Sequence, residues 1–277
     1  MKLPLITAAF TMAFSCLALA QDGWVEAGKH ALTDWSEGYV EATGQGTSRY
    51  MGNRIQEELM AKQAARTTAQ ARLLETIKGI RLTGLTTIGT HGAGDTRAAT
   101  RIKGTLKGAQ TIDEKISWHK DKSSRRGEVV MAEVTLRVCI SPTCQATPEN
   151  LTKATLGLKS SPTTQKTPPS TDTSAVIIDL EQAMYLPALS PEVVNESGTI
   201  IYSQDTVAEN TIVDKGLIHY AKSVEKAKQL EISGPSPKII KALRITAENQ
   251  IVVSNNDSDK IRTLDAVKQG RMIVALD

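Results

Sequence analysis

The sequence predicts an α+β protein of two small modules: an N-terminal one in which a long helix packs on a mostly antiparallel sheet, and a C-terminal mixed α/β one. Three observations carry this. Residues 51–78 are rich in Ala, Gln, Glu, Arg and Leu, all favourable helix formers. Residues 128–140 alternate Val130, Ala132, Val134, Leu136, Val138 and Ile140 with Met131, Glu133, Thr135 and Arg137, the period of a half-buried strand. Residues 159–174, KSSPTTQKTPPSTDTS, hold 12 Ser, Thr or Pro among 16 and no large apolar side chain, so burial cannot offset their ordering entropy. The expected organisation is a leader over 1–20, a first module over 21–145, a linker over 146–174 and a second module over 175–277.

In the first module, GYVEATGQG (residues 38–46) reads as a strand ending in a glycine turn. The helix over 51–78 follows, with Ile55, Leu59, Ala65, Ala69, Leu73 and Ile77 expected on its packed face and Gly79 as its stop. IRLTGLTTIG (80–89) reads as one strand, residues 92–100 as a polar loop. Residues 107–119 and 128–140 form an antiparallel hairpin joined by KDKSSRRG. In the second module AVIIDL (175–180) is a continuous apolar strand, and PEVVNESGTIIYS (191–203) two strands turning at 195–198. A helix is expected over about 217–230, then strands at KIIKALRI and QIVVS. A helix capped by Asn255 or Asp257 runs to Lys268, Gly270 ends it, and RMIVALD is a final strand.

MKLPLITAAFTMAFSCLALA has a lysine at position 2, an apolar run and small residues at Ala18 and Ala20. This is the pattern of a secretory signal cut between Ala20 and Gln21. Lipidation at Cys16 is the alternative, which Phe14 fits poorly. Export places the protein in an oxidising compartment, the periplasm. Removing the leader takes Cys16 and both Phe residues, leaving Cys139 and Cys144 as the only cysteines and a core of Ile, Leu, Val and Ala with a few Trp and Tyr. Net charge falls from +3 to +2 with the loss of Lys2, too small and too interspersed for nucleic acid to be the expected partner. No later run approaches the length of a transmembrane helix.

Motifs that could carry chemistry are few. TGQGTSR follows a strand and precedes a helix, as a dinucleotide-binding turn would, but Arg49 replaces the third glycine and no acidic residue ends the next strand. The reading adopted is a tight turn. Gly92-Ala93-Gly94-Asp95 lacks the lysine of a phosphate loop. His30, His91, His119 and His219 show no ligand spacing, and neither a nucleophile elbow nor a carboxylate pair stands out. No enzyme activity, cofactor, metal or small-molecule substrate is expected. Lys120, Lys122, Arg125 and Arg126 gather in the hairpin loop, where they are either a solvated turn or a contact for lipid or cell-wall anions. Trp24, Trp35, Tyr39 and Tyr50 cluster near the start, as core filling or interface anchors. Cys139-x4-Cys144 offers two ligands without suitably spaced partners for zinc. It also lacks the Cys-x-x-Cys spacing of redox enzymes, so in the periplasm it reads as a disulfide staple.

EATGQG (41–46), ARLLETIKGIRL (71–82), IKGTLKGAQTI (102–112) and EVVMAEVTLRV, in this order, resemble the bacterial envelope family of LPP-twenty lipoproteins, which includes FlgP-like and FlgT-like flagellar proteins. The resemblance spans about residues 41–140. The second module looks like a C-terminal extension of longer members, in AVIIDL, YLPALSPEVVNESGTIIYS, GLIHYA and GPSPKIIKA; Glu181-Gln182 departs from the small or basic residue such sequences carry there. The resemblance implies a non-enzymatic, outer-membrane-associated structural protein forming homo-oligomers, rings or discs around the flagellar basal body, with basal-body or outer-membrane proteins as partners. The rival expectation is a monomeric periplasmic adaptor for cell-wall or lipid headgroups.

Overall fold

The computed structural model describes residues 25–91, 108–141, 144 and 173–275. Cys16, Ala20, Gln21, Trp24, residues 92–107 and the expected linker up to residue 172 lie outside them.

Asn53 sets the start of the long helix. Its side-chain oxygen accepts the N–H groups of Ile55 at 2.9 Å and Gln56 at 3.5 Å, so α1 spans Arg54–Gly79 and begins three residues later than expected. Its buried stripe is Glu57, Ala61, Ala65, Ala69, Leu73 and Ile77. Ile55 and Leu59 were expected on this face but are 69% and 60% exposed. Two positions along a helix turn a side chain by about 200°, which sets Ile55 and Leu59 opposite the stripe that begins at Glu57.

The stripe lies on a five-stranded antiparallel sheet ordered β1-β2-β3-β7-β6, built from β1 (Val25–Ala27), β2 (Ala31–Asp34), β3 (Tyr39–Thr47), β6 (Gln110–Lys120) and β7 (Glu128–Cys139). The alternation in β7 buries Val130, Ala132, Val134, Leu136 and Val138 on the helix side. β3 meets the helix differently. A Cβ on Gly44 would lie 2.2 Å from the Ala65 carbonyl oxygen and the Ala69 nitrogen, and one on Gly46 would lie 2.3 Å from the Ala65 nitrogen. These glycines therefore let the backbones of strand and helix touch, with alanine as the only side chain that fits between. They face the middle of α1, well away from its N-terminus, so TGQGTSR is a packing motif rather than the phosphate cradle its spacing suggested.

The expected single strand over 80–89 is a two-stranded hairpin, β4 (Arg81–Thr83) and β5 (Thr86–Thr87), turning at Gly84 and followed by a short helix α2 (Ile88–His91).

The second module holds two four-stranded sheets. One is all parallel, in the order β11-β15-β8-β12, from β8 (Val176–Asp179), β11 (His219–Ala221), β12 (Lys238–Lys241) and β15 (Met272–Ala275). Its central strands are buried on both faces, which is why VII and MIVA read as unbroken apolar runs. The other, ordered β10-β9-β14-β13, combines β9 (Val193–Asn195), β10 (Ile200–Tyr202), β13 (Arg244–Ile245) and β14 (Ile251–Val253). KIIKALRI, expected as one strand, thus contributes to both sheets: β12 leaves one at Lys241 and β13 enters the other at Arg244.

The expected helix over about 217–230 is corrected. Residues 219–221 form β11, with α3 (Glu209–Lys215) before it and α4 (Val224–Gln229) after it. Gly216 ends α3 in a conformation with φ +85°, and Ser223 caps α4 by accepting the Lys226 N–H at 3.2 Å. The C-terminal helix is capped by Ser254, one residue before the expected start, and breaks at Leu264 into α5 (Asn255–Thr263) and α6 (Asp265–Lys268).

The two modules share one hydrophobic core that runs from Trp35 and Leu82 to Tyr220 and Leu189. The Trp35 and Tyr220 rings meet edge to face at 5.7 Å. The N–H groups of Leu189 and Ser190 donate to the carbonyls of Arg81 (3.0 Å) and Leu82 (2.7 Å), and Arg81 Nε donates to the Pro187 carbonyl at 2.9 Å. Ser174, the last residue of the expected linker, is built into the second module: its hydroxyl bonds the Ser233 carbonyl and accepts the Ser236 N–H.

Candidate functional site

Three places join sequence-predicted residues to surface or cavity. The first is the cysteine pair. Cys139 ends β7 and is bonded to Cys144, with Cα atoms 5.4 Å apart. Between them the N–H groups of Ile140 and Ser141 donate to the Gly38 carbonyl at 2.8 and 3.2 Å. Gly38 has φ +73°, and a Cβ there would lie 2.6 Å from the Ser141 Cβ, so this turn needs glycine. The staple thus joins Cys144 to the end of β7, and the Ile140 and Ser141 N–H groups tie that end to the turn entering β3. Among the described residues no group of three His, Cys, Asp or Glu side chains could hold a metal.

Ile140 and Ser141 form one wall of a cavity of about 220 Å³ between the modules, whose other walls include Trp35, Leu189, Leu217 and His219. His219 is buried, and its Nε2 has no hydrogen-bond partner among the described residues. Burial pushes the imidazole down to about 4, and a hydrogen bond to the Lys215 backbone acts in the opposite sense. Tyr220, on the same strand, is pushed up to about 12 by burial; its hydroxyl donates to the Ala188 carbonyl at 2.7 Å and accepts the Ala188 N–H at 3.0 Å. The Tyr220 hydroxyl thus joins β11 to the Ala188 backbone within the second module, while its ring meets Trp35 across the junction.

The second place is the basic hairpin loop. Asp121 shapes it, accepting the Ser123 N–H (2.8 Å) and hydroxyl (2.7 Å), and these bonds lower its carboxyl below the ordinary value. Lys120, Lys122 and Arg125 are exposed. Arg126 is already committed. Its Nη2 donates to Glu57 at 2.8 Å, and its guanidinium stands 5.2 Å from the Tyr50 ring and 5.7 Å from the Trp118 ring. Glu57 also accepts the Met51 N–H at 2.9 Å; that bond first, then Arg126, holds its carboxyl below the usual range. Arg54 covers Trp118 at 4.7 Å, while the indole donates to Glu58 at 3.1 Å. The cluster fastens the hairpin tip to the start of α1, so three of the four loop cations face solvent. Of the early aromatics, Trp35 fills the core, Tyr39 lies half-buried under Arg137 at 4.0 Å, and Tyr50 is exposed.

The third place is one that sequence reasoning missed. β6 is an edge strand with ten of its eleven residues exposed, Ile112 and Ile116 among them. α1 runs beside it, tied by the Lys62–Glu114 ion pair and the Trp118–Glu58 hydrogen bond, and the exposed Ile55 and Leu59 lie on that stretch of helix. Ile112 and Ile116, four residues apart within an otherwise polar stretch, were the available signal. No helix among the described residues is long and apolar enough to cross a membrane.

Residues 175–277 match a family described as the second domain of Treponema pallidum Tp0624. No curated protein matches the chain.

Proposed function

We propose that this chain is a non-enzymatic, periplasmic, outer-membrane-associated structural protein that assembles with copies of itself, in a ring or disc linked to the flagellar basal body. The observation that carries the reading is the outer edge of β6, unpaired among the described residues and carrying exposed Ile112 and Ile116, together with exposed Ile55 and Leu59 on α1. An unpaired strand edge with apolar side chains on it is a ready template for another chain. The locked junction supports the same reading, because a building block must keep one shape through assembly. The resemblance of residues 41–140 to LPP-twenty envelope proteins supports the location. Deleting the gene in its host and scoring swimming and envelope fractions tests it: loss of motility, with the protein in the outer-membrane fraction of the parent, is expected. Normal swimming overturns the flagellar role, and recovery from the cytoplasm overturns the envelope role.

The exposed Lys120, Lys122 and Arg125 favour a second reading, an adaptor binding cell-wall or lipid headgroups. Pull-down on purified sacculi, with those three charges reversed and Arg126 kept, separates the two. Equal retention of both forms removes the adaptor.

A further inference from the structure

We propose that β6 pairs antiparallel with the β6 of a second copy of this chain, about a two-fold axis at Glu114, joining two five-stranded sheets into one of ten strands. The inference rests on the self-assembly reading above and names its contact.

β6 ends its sheet: among the described residues β7 is its one neighbour and its outer edge is unpaired from Gln110 to Lys120. Edges of this length are ordinarily blunted by proline, by covering loops or by charges that point inward. Here a β-bulge between Thr111 and Asp113 shortens the regular edge, and Asp113 and Lys115, which pair within the strand at 2.7 Å, also complement each other across a two-fold axis. Pairing about Glu114 sets Asp113 opposite the partner's Lys115 and brings the bulged Ile112 beside the partner's Ile116. Each of these pairs occurs twice by symmetry. Glu114 meets its own copy at the axis, but Lys62 neutralises each carboxylate.

The faces agree from Asp113 onward. Glu114 and Ile116 stand opposite Val134 and Ala132, which are buried against α1, so they lie on the helix side, while a β-bulge between Thr111 and Asp113 interrupts the alternation at Ile112. The pairing therefore sets Ile116 of both copies on the helix side and the Asp113–Lys115 pairs on the other. Shifting the register by two residues while keeping both helices on one side loses this match. An axis at Asp113 sets Ile112 against Glu114 and Asp113 against itself. An axis at Lys115 sets Ile116 against Glu114 and Lys115 against itself.

The test uses Asp113→Lys and Lys115→Asp in the purified protein, each change on an exposed position of β6. Either variant alone places like charges opposite each other at both symmetric pairs. Mixed one to one, the two variants restore opposite charges at both. Sedimentation is expected to show a concentration-dependent wild-type dimer, dissociation weakened at least tenfold towards monomer in each variant alone, and a dimer containing one copy of each in the mixture. A wild type that self-associates while the variants behave like it, or while the mixture stays monomeric, overturns the β6 contact and leaves assembly standing. A wild type that remains monomeric at every concentration overturns both.

Discussion

Replacing Gly44 by alanine adds one methyl group at the place where β3 and α1 touch, and the structure says what it meets. The new Cβ would lie 2.2 Å from the Ala65 carbonyl oxygen and the Ala69 nitrogen and 2.8 Å from the Ala69 Cα, all backbone atoms in the middle of a 26-residue helix. No side-chain rotation relieves such contacts, so the helix must move off the strand by about 1 Å, breaking the fit of Leu73 and Ile77 as well. Overpacking of cores costs about 1–3 kcal/mol, and a clash confined to backbone belongs at the top of that range. A loss of about 3 kcal/mol corresponds to a fall of roughly 6–12 °C in Tm for a chain of this size. Gly79→Ala is the control, since nothing lies within 4 Å of its added Cβ and it occupies the last helical position. It should gain roughly 0.5 kcal/mol from helix propensity and a less flexible unfolded chain. Urea unfolding followed by far-ultraviolet circular dichroism measures both. A Gly44→Ala protein within about 0.5 kcal/mol of wild type would refute backbone contact between β3 and α1.

Three further outcomes are expected. Titrating the denatured, unreduced exported protein should reveal no free thiol, and replacing both Cys139 and Cys144 by serine should lower stability by about 2 kcal/mol, the chain-entropy value for so short a loop; two titratable thiols contradict the staple. His219 is depressed from 6.5 to about 4, so the unfolded chain binds the extra proton first: its contribution is complete above pH 6.5 and is lost as pH falls towards 4, reaching about 3 kcal/mol. Comparing urea midpoints of wild type and His219→Leu at pH 7 and pH 4.5 should show a much smaller pH dependence in the variant, and equal slopes contradict a buried neutral imidazole. Glu181 and Gln182 have φ +46° and +64° inside a turn closed by the Ala183 N–H on the Leu180 carbonyl at 2.8 Å. This is the pattern of a type I′ turn, which favours glycine, so Gln182→Gly should stabilise by about 0.5–1 kcal/mol, and a loss in calorimetry contradicts it.

What the sequence made legible follows from pattern length. The helix and β7 each repeat their period over ten residues or more, and the helix and the β6–β7 hairpin appear close to where they were expected. The second module is built from strands of two to four residues, too short to show a period. There GLIHYA looks like a helix start, whereas it is a strand held between β15 and the core. KIIKALRI fails for a related reason, because no single-strand pattern encodes a chain that changes sheets. The site was legible in part. Chemistry that depends on two neighbouring residues, such as the Cys139–Cys144 staple, could be read directly. Arg126 could not be separated from Lys120, Lys122 and Arg125, because its partner Glu57 lies 69 residues away in sequence. The open edge of β6 is a property of strand order, which the sequence does not spell out.

Imaging a fusion to a fluorophore that matures in the periplasm, in living cells of the native host, tests the envelope-assembly claim most directly. Discrete foci at the sites of flagellar insertion, lost in cells carrying Lys115→Asp alone, are the predicted result. A uniform signal around the whole envelope, unchanged by that substitution, would contradict the account.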